Sequence, residues 1–541
     1  MPSWRWRASA TRERLATSPF PFQVKGAKIP LCAFESFRGP VLGRAFFLVL
    51  LLTLLATLWG CAPRESPPPL RLGIWESPRE FFLPWEELNS AERELASFLF
   101  RGLYRREPDF RLVPELAEGY TPLPGGRSFA FRLRRLSWPD GSPITVADFA
   151  YSFLSALKYG GPYRDPLLAV EGAPEYVQGR SPGVKGIRLP DPRTVEVTFR
   201  EPSPEAFSAF VLLPLVPARF QGKMTGAGPY RWERVFRDGQ GRVVRVDLSP
   251  RKNRLPRVSL VLVSPPLDSR LFGAGLLDLV EVRGKAPAAT AGGGPVSLVE
   301  GPGNGYYLLL LRGEARLKQA LESGLDRRAF IREVLPGPAR PMAWMFPPGS
   351  WAEPPNPYPF PFDPEYARSL LREAKGDRPT LELLYLQGHP VMERGARWLG
   401  ESLSRLGIKA ELRPARQRDL VERLRKKEFR LYLFSLPYGF GVFPEPLFRP
   451  GGFGEPANYP PKLRERAWAA LSAPSSLTEA YRQMAREAAG ETPYLFLASD
   501  LRTYAFGPRI KKLVVGPEGL GFYVDRWLLR EGDGPSRSRG N

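Results

Sequence analysis

An almost unbroken apolar run, AFFLVLLLTLLATLW at residues 45–59, divides this 541-residue chain into a short leading part and a long remainder. Fifteen residues are too few for a bilayer span, which takes about 20, but they suit the hydrophobic core of an export signal. Arg44 supplies the basic flank. The part that folds is therefore expected to begin after residue 60 and to fold outside the cytoplasm. It is too long for one hydrophobic core, so two or three domains are expected. Its composition, 43% hydrophobic and 25% charged, is that of an ordinary globular protein.

The run closes on Leu58-Trp59-Gly60-Cys61, which resembles the acylation box of bacterial lipoproteins. In such a box the cysteine thiol takes a diacylglyceryl group and becomes the new N-terminus. The small residue before it, here Gly60, leaves room for the peptidase; Trp59 is bulkier than its position usually carries. Several acyl chains on Cys61 would hold the protein to a membrane stably, where a single chain is marginal. The Pro-rich stretch that follows makes residues 61–69 an extended tether. The expected product is an exported cell-envelope lipoprotein on the periplasmic or extracellular face of a membrane. Residues 1–40 are basic and without helical or strand periodicity, and they precede a complete signal at 41–60. They read as an extension of the gene ahead of a true start near Val41.

Residue counts exclude several function classes. Cys32 and Cys61 are the two cysteines, so a chain cut before Cys61 has no internal disulfide and no thiolate metal site. One histidine, His389, leaves little room for zinc or histidine-base chemistry and reads as a loop residue before Pro390. No metal and no cofactor are expected. No nucleophile elbow, HExxH or phosphate-binding glycine loop occurs, so no catalytic residue is assigned and the chain is not read as an enzyme. The net charge of +22 drops to +16 once the eight Lys/Arg and two Asp/Glu before Cys61 are subtracted. The remaining arginines are spread along the chain rather than interleaved with aromatics in one block, which argues against a nucleic-acid partner.

Periodicity places strands at 70–75, 129–133, 242–248, 258–263, 306–311, 409–412 and 431–435, and a hairpin over 186–188 and 195–199. Helices are expected at 90–104 with Ser90 as N-cap, from Thr145 with Asp148 at its third position, and at 314–334, 363–374, 392–406 and 477–489. Interspersed strands and helices without a repeat period indicate α/β domains.

Six segments carry a more specific signal. Ser137-Trp138-Pro139-Asp140-Gly141-Ser142-Pro143-Ile144-Thr145-Val146-Ala147-Asp148-Phe149 closely resembles the signature of the bacterial extracellular solute-binding proteins of family 5, the peptide and nickel importer class. Leu112 to Glu118 (LVPELAE), Gly226-Ala227-Gly228-Pro229-Tyr230, Lys318 to Leu321 with Gly324-Leu325-Asp326-Arg327, Asp363-Pro364-Glu365-Tyr366-Ala367 with Leu370-Leu371, and Gly407-Ile408-Lys409 resemble further family segments, in the family's order. The resemblance spans about 68–530. It implies a two-lobed periplasmic-binding-protein type II fold with an extra domain in the first lobe, three subdomains in all. Lobe I would take 70–107, 222–300 and 495–533, with the extra domain at 108–221. Lobe II would take 301–494, and 534–541 would be a disordered tail. The implied activity is capture of a small, peptide-like solute by hinge closure and delivery to an ABC permease and its ATPase, with the receptor a monomer. The alternative readings of this chain are a lipid-anchored sensor or chaperone with the same fold, or an importer receptor for an oligosaccharide or other non-peptide solute.

In oligopeptide-binding relatives an acidic residue pairs with the ligand's α-amino group from a segment resembling W-x-A-D-Y-x-x-P. Here the segment from Tyr438 to Pro446 reads YGFGVFPEP, and counting back from Pro446 puts Val442 where that acid would stand. An ammonium without its carboxylate loses about 3–5 kcal/mol, so free-amine peptide is disfavoured unless Glu445 supplies the charge. The expected ligand-lining residues are Phe82, Trp85, Tyr306, Trp344, Tyr438, Phe440, Val442, Phe443 and Glu445. Nickel is disfavoured by the lack of imidazole. The reading of the leader has a direct check: mass spectrometry of the native protein should return no peptide from residues 8–38, and finding one would refute the late start.

Overall fold

Two strands of unusual length, Ser297–Leu311 and Tyr494–Phe506, run antiparallel through an eleven-stranded sheet and belong to both of its halves. Fifteen residues at strand spacing cover roughly 50 Å. The computed structural model describes residues 67–219, 224–264, 267–283, 295–355, 360–373, 380–448, 462–473 and 476–530. The assignments made for 1–40, the signal at 41–60, Cys61 and the tail at 534–541 lie outside the described residues.

On one side of the long pair, Leu70–Ile74 lies parallel to Val258–Leu262 and Leu279–Glu281, and the antiparallel Val243–Pro250 and Tyr230–Arg237 extend the sheet to its edge. On the other side, Leu381–Leu386 lies parallel to Ala410–Ala415 and Leu431–Pro437. The parallel ladders follow from helical crossovers: Pro390–Arg405 connects Leu381–Leu386 to Ala410–Ala415. A separate four-stranded antiparallel sheet, in the order Ala117–Leu123, Ser128–Leu133, Thr194–Thr198, Ile187–Asp191, packs in the same apolar cluster as the helices Val146–Tyr159 and Pro204–Leu212.

The family-like segments turn out to be fasteners. In the first, Gly141 takes φ +87 and Asp140 accepts from the amide and hydroxyl of Ser142. Asp148 accepts from the Thr145 amide at 2.8 Å, from the Ala218 amide at 2.7 Å and from the indole of buried Trp138 at 3.2 Å. One carboxylate thus joins the turn, the helix start and a later loop. Gly226 and Gly228 are needed for close approach. A Cβ on them would lie 2.0 Å from the Leu99 carbonyl oxygen and 2.3 Å from that of Phe98, at the C-terminal end of helix Ser90–Leu99. Arg327, fully buried, donates to the Phe496 and Glu322 carbonyls at 2.8 Å each and pairs with the Glu322 carboxylate.

Several boundaries differ from expectation. Asn89, rather than Ser90, caps the first helix, in a reciprocal box with Glu92. That helix stops at Leu99 because Phe100 turns extended and Gly102 packs against the carbonyl of Leu212. The expected helix over 314–334 is two, Ala315–Gly324 and Arg327–Val334, with Asp326 capping the second through the Arg328 and Ala329 amides. His389 is the N-cap of Pro390–Arg405, accepting from the Met392 amide through Nδ1. Among the described residues no helix is long and apolar enough to cross a membrane.

Gly228→Ala is expected to destabilise the protein by about 3 kcal/mol, an overpacking cost against immovable backbone. Urea unfolding of the variant measures it; a change within about 0.5 kcal/mol would mean the helix end yields.

Candidate functional site

The long strands lose register between Pro302 and Tyr306. The carboxylate of Asp500 accepts from the Asn304 amide at 2.9 Å and the Gly305 amide at 2.8 Å, satisfying donors that the broken ladder would leave unpaired. Asn304 then accepts in two directions. Its carbonyl takes the Tyr438 amide, its side-chain oxygen takes Arg502 Nη2 at 2.9 Å, and both donor residues face one cleft of about 720 Å³. A volume of that order suits a small-molecule or short-peptide ligand.

One end of the cleft is built where the loop after Leu431–Pro437 meets Pro204–Leu212 and Tyr104–Arg106. Arg106 Nη1 donates to the Gly439 carbonyl at 2.7 Å and the Phe440 carbonyl at 3.2 Å, while its Nε lies 2.5 Å from Glu518. The Phe440 ring packs on Tyr163 with centroids 4.5 Å apart. Glu205 Oε1 accepts from the Phe440 amide at 2.9 Å; its Oε2 is out of reach of solvent and has no hydrogen-bond partner among the described residues. A Cβ on Gly439 would lie 2.5 Å from that oxygen, so only glycine lets the carboxylate in. Burial pushes the Glu205 carboxyl up to about 7; the Phe440 amide opposes the shift, and the nearby Glu445 carboxylate adds to it.

The other end is walled by the strands Leu70–Ile74 and Leu279–Glu281 and by helix Ser90–Leu99. Arg502 lies 3.9 Å from Glu281 and reaches the Tyr504 hydroxyl at 3.4 Å. Burial raises the Glu94 carboxyl to about 7, against the Leu520 amide that it accepts at 2.7 Å. Arg283 stands over the Trp75 ring at 5.2 Å. The cleft thus presents both signs of charge between aromatic walls. No group of three or more His, Cys, Asp or Glu able to hold a metal occurs among the described residues.

Of the residues expected to line the ligand, Tyr438 and Phe440 face this cleft. Tyr438 is fixed by its hydroxyl contact with Ser499 and by an edge-on Tyr306 ring 4.6 Å away. Tyr306, Val442 and Phe443 are buried in the apolar cluster behind it, and Trp344 lies in the same cluster. Phe82 and Trp85 are fully buried in the other half's core. Glu445, 5% exposed, accepts from the Ser203 hydroxyl at 3.0 Å and the Glu205 amide at 2.9 Å, so it works as an N-terminal cap for Pro204–Leu212. Arg106, Glu205, Glu518, Arg502 and Glu94 escaped the sequence reading. Ser203-Pro204-Glu205 looks like an ordinary helix start, and nothing in one chain's sequence says which helix start faces a cleft.

The family model for bacterial extracellular solute-binding proteins, family 5 Middle, matches residues 111–455. The glutathione-binding protein GsiB of Salmonella choleraesuis (strain SC-B67) is 23% identical over 363 residues, 61% of this chain and 66% of that protein. The chain thus spans just under two thirds of that relative's length. The periplasmic oligopeptide-binding protein OppA of Escherichia coli (strain K12) is 32% identical over 129 residues, 22% of this chain and 23% of that protein. Among solved structures, the periplasmic murein tripeptide binding protein MppA in its unliganded open form superposes with a TM-score of 0.69 at 18% identity, over 85% of this chain and 96% of the other. HbpA2 from Haemophilus parasuis gives 0.68 at 18% identity, over 85% and 99%. The mixed α/β fold is the type II fold of these structures, and the relatives named are binding proteins, not enzymes.

The Glu205 carboxyl makes a specific mark on stability. Between 4.5 and about 7 the folded form keeps a proton that the unfolded chain has released, so stability falls as pH rises through that window. Glu205→Gln removes the titration but keeps an oxygen for the Phe440 amide. The unfolding free energy of the variant relative to wild type should therefore rise between pH 4.5 and 7 and level off above. A difference independent of pH would place the ionisation elsewhere.

Proposed function

The chain belongs to the bacterial extracellular solute-binding proteins of family 5, and from that premise we propose that it is a lipid-anchored receptor. It captures a short peptide or peptide-like solute in the cleft and hands it to an ABC permease and ATPase. The observation that carries this reading is the cleft itself. It lies beside the register break of two strands shared by both halves of the sheet, so a change of backbone angle there would open or close it. A solute favours the closed form only as far as it contacts both walls. The walls supply Arg106, Tyr163 and Glu205 on one side and the loop from Tyr438 to Phe440 on the other.

The charge of the solute follows from Glu205. The acid absent at Val442 has a counterpart on the facing wall: a carboxylate already bonded to the same loop, with one oxygen unpartnered. A cationic nitrogen, such as a peptide's free amino terminus, would complete it once the loop from Tyr438 to Phe440 moves aside and exposes that buried oxygen. A cleft that left this carboxylate unmatched would bear the cost of a desolvated group. The favoured solute therefore carries a free amine, which reverses the expectation drawn from Val442 alone. The cation would also pull the raised carboxyl back into its ionised form, so binding below neutrality releases a proton.

Calorimetric titration of tri- to pentapeptides tests the reading. N-acetylation is expected to weaken binding by ~2 kcal/mol, about 30-fold. Glu205→Gln should abolish the difference between free and acetylated peptide. Affinity of the free peptide should fall as pH drops below about 7, by at most about tenfold per unit. Equal binding of free and acetylated peptide would remove Glu205 as the reader of the amine; no binding of either would remove peptides as the solute class.

A further inference from the structure

The end of the molecule at which the described chain begins gathers basic side chains. Leu70 enters the sheet by donating to the Arg257 carbonyl, and Arg509 holds the residues before it through the carbonyls of Pro68 at 2.7 Å and Pro69 at 3.2 Å. Around these contacts lie Lys252 and Arg254 on the loop leading to Arg257, Lys511 and Lys512 on the strand Ile510–Lys512, and Arg530, whose amide donates to Arg509. All five side chains are exposed, and none is ion-paired with a carboxylate among the described residues. The nearby acids are already engaged: Glu233 with Arg257 and Asp278 with Arg509. Other exposed lysines are paired with a carboxylate: Lys185 with Glu171 at 2.6 Å and Lys426 with Glu422 at 2.7 Å.

We infer that this basic end rests on an anionic phospholipid surface, which orients the receptor on the membrane. Two observations select that partner. The charge is unneutralised and gathered around the point where the N-terminal segment joins the fold, and Cys61 lies six peptide steps before Pro67. Six residues reach no more than about 20 Å even when fully extended, a tether short enough to let the basic end come within one Debye length, about 8 Å at physiological salt, of the membrane. The inference rests on the reading of Cys61 as the lipid anchor, and the cleft takes no part in it. Attraction of this kind is non-specific and reverses with ionic strength.

The test uses the full native chain reconstituted in phosphatidylcholine vesicles, with or without phosphatidylglycerol. Acetylation rates of individual lysines are read by mass spectrometry. Lys252, Lys511 and Lys512 should react several-fold more slowly on the anionic vesicles alone, and high salt should restore their rates. Lys185 and Lys426 should not change. Equal rates on both vesicles, or slowing shared with Lys185 and Lys426, would overturn the inference. A chain carrying Lys252→Glu, Lys511→Glu and Lys512→Glu should lose the preference for anionic vesicles in flotation and keep its solute affinity. Incorporation of labelled fatty acid reports the anchor separately. A labelled chain whose lysines stay unprotected rules out the docking surface. An unlabelled chain that still prefers anionic vesicles, and loses the preference in the triple variant, rules out the anchor and keeps the surface.

Discussion

The bond pair from Asp500 to the amides of Asn304 and Gly305 is the point on which the architecture turns. Two strands run the length of a sheet only if their ladder stays whole, yet this ladder changes register between Pro302 and Tyr306. Without a partner, amides released by the break would each forfeit a hydrogen bond. Asp500 supplies that partner, and the glycines around the break let the strands close. A Cβ on Gly303 would lie 2.3 Å from the Asp500 carbonyl oxygen, and one on Gly305 2.1 Å from that of Leu436. The weak point in the sheet is therefore an organised bend. Through the Asn304 carbonyl and side chain it also sets Tyr438 at one end of the cleft and Arg502 at the other.

A second layer of control is electrostatic. The start of helix Pro204–Leu212 gathers two carboxylates, Glu445 from the loop after Leu431–Pro437 and Glu205 from the helix itself. Each accepts an amide of the other segment, so the two are stitched by crossed bonds rather than by apolar contact alone. The positive helix end favours Glu445 there, and its charge is one reason Glu205 ionises late. Arg106 balances the pair by reaching the carbonyls of the same loop. Such a clasp leaves one Glu205 carboxylate oxygen buried and without a hydrogen-bond partner among the described residues.

Much of the scaffold was legible because its signals are local. The turn at Pro139-Asp140-Gly141, the helix start at Asp148 and the parallel step from Pro390–Arg405 into Ala410–Ala415 each follow from backbone chemistry within a few residues. Errors came where a distant contact decides a boundary. Leu325 and Asp326 divide what reads as one helix, and the buried Arg327 ties the second piece to Tyr494–Phe506. The strand Tyr494–Phe506 escaped notice because the polar residues Ser499, Asp500, Arg502 and Thr503 interrupt its apolar run.

The sequence by itself determined the α/β class and the family, since these rest on contiguous residues. It also determined that no disulfide or histidine-rich centre could organise the part after Cys61. Tertiary structure decided the site. Aromatic identity named Phe82, Trp85, Tyr306, Trp344 and Phe443, and register from Pro446 named Val442; the fold packs these in its apolar clusters and leaves Tyr438 and Phe440 on the cleft. The charged residues that meet there, Arg106, Glu205 and Arg502, are separated by up to about four hundred positions in the chain. The physical reason is that apolar burial is written into each side chain, whereas the worth of a charge depends on what the fold places opposite it.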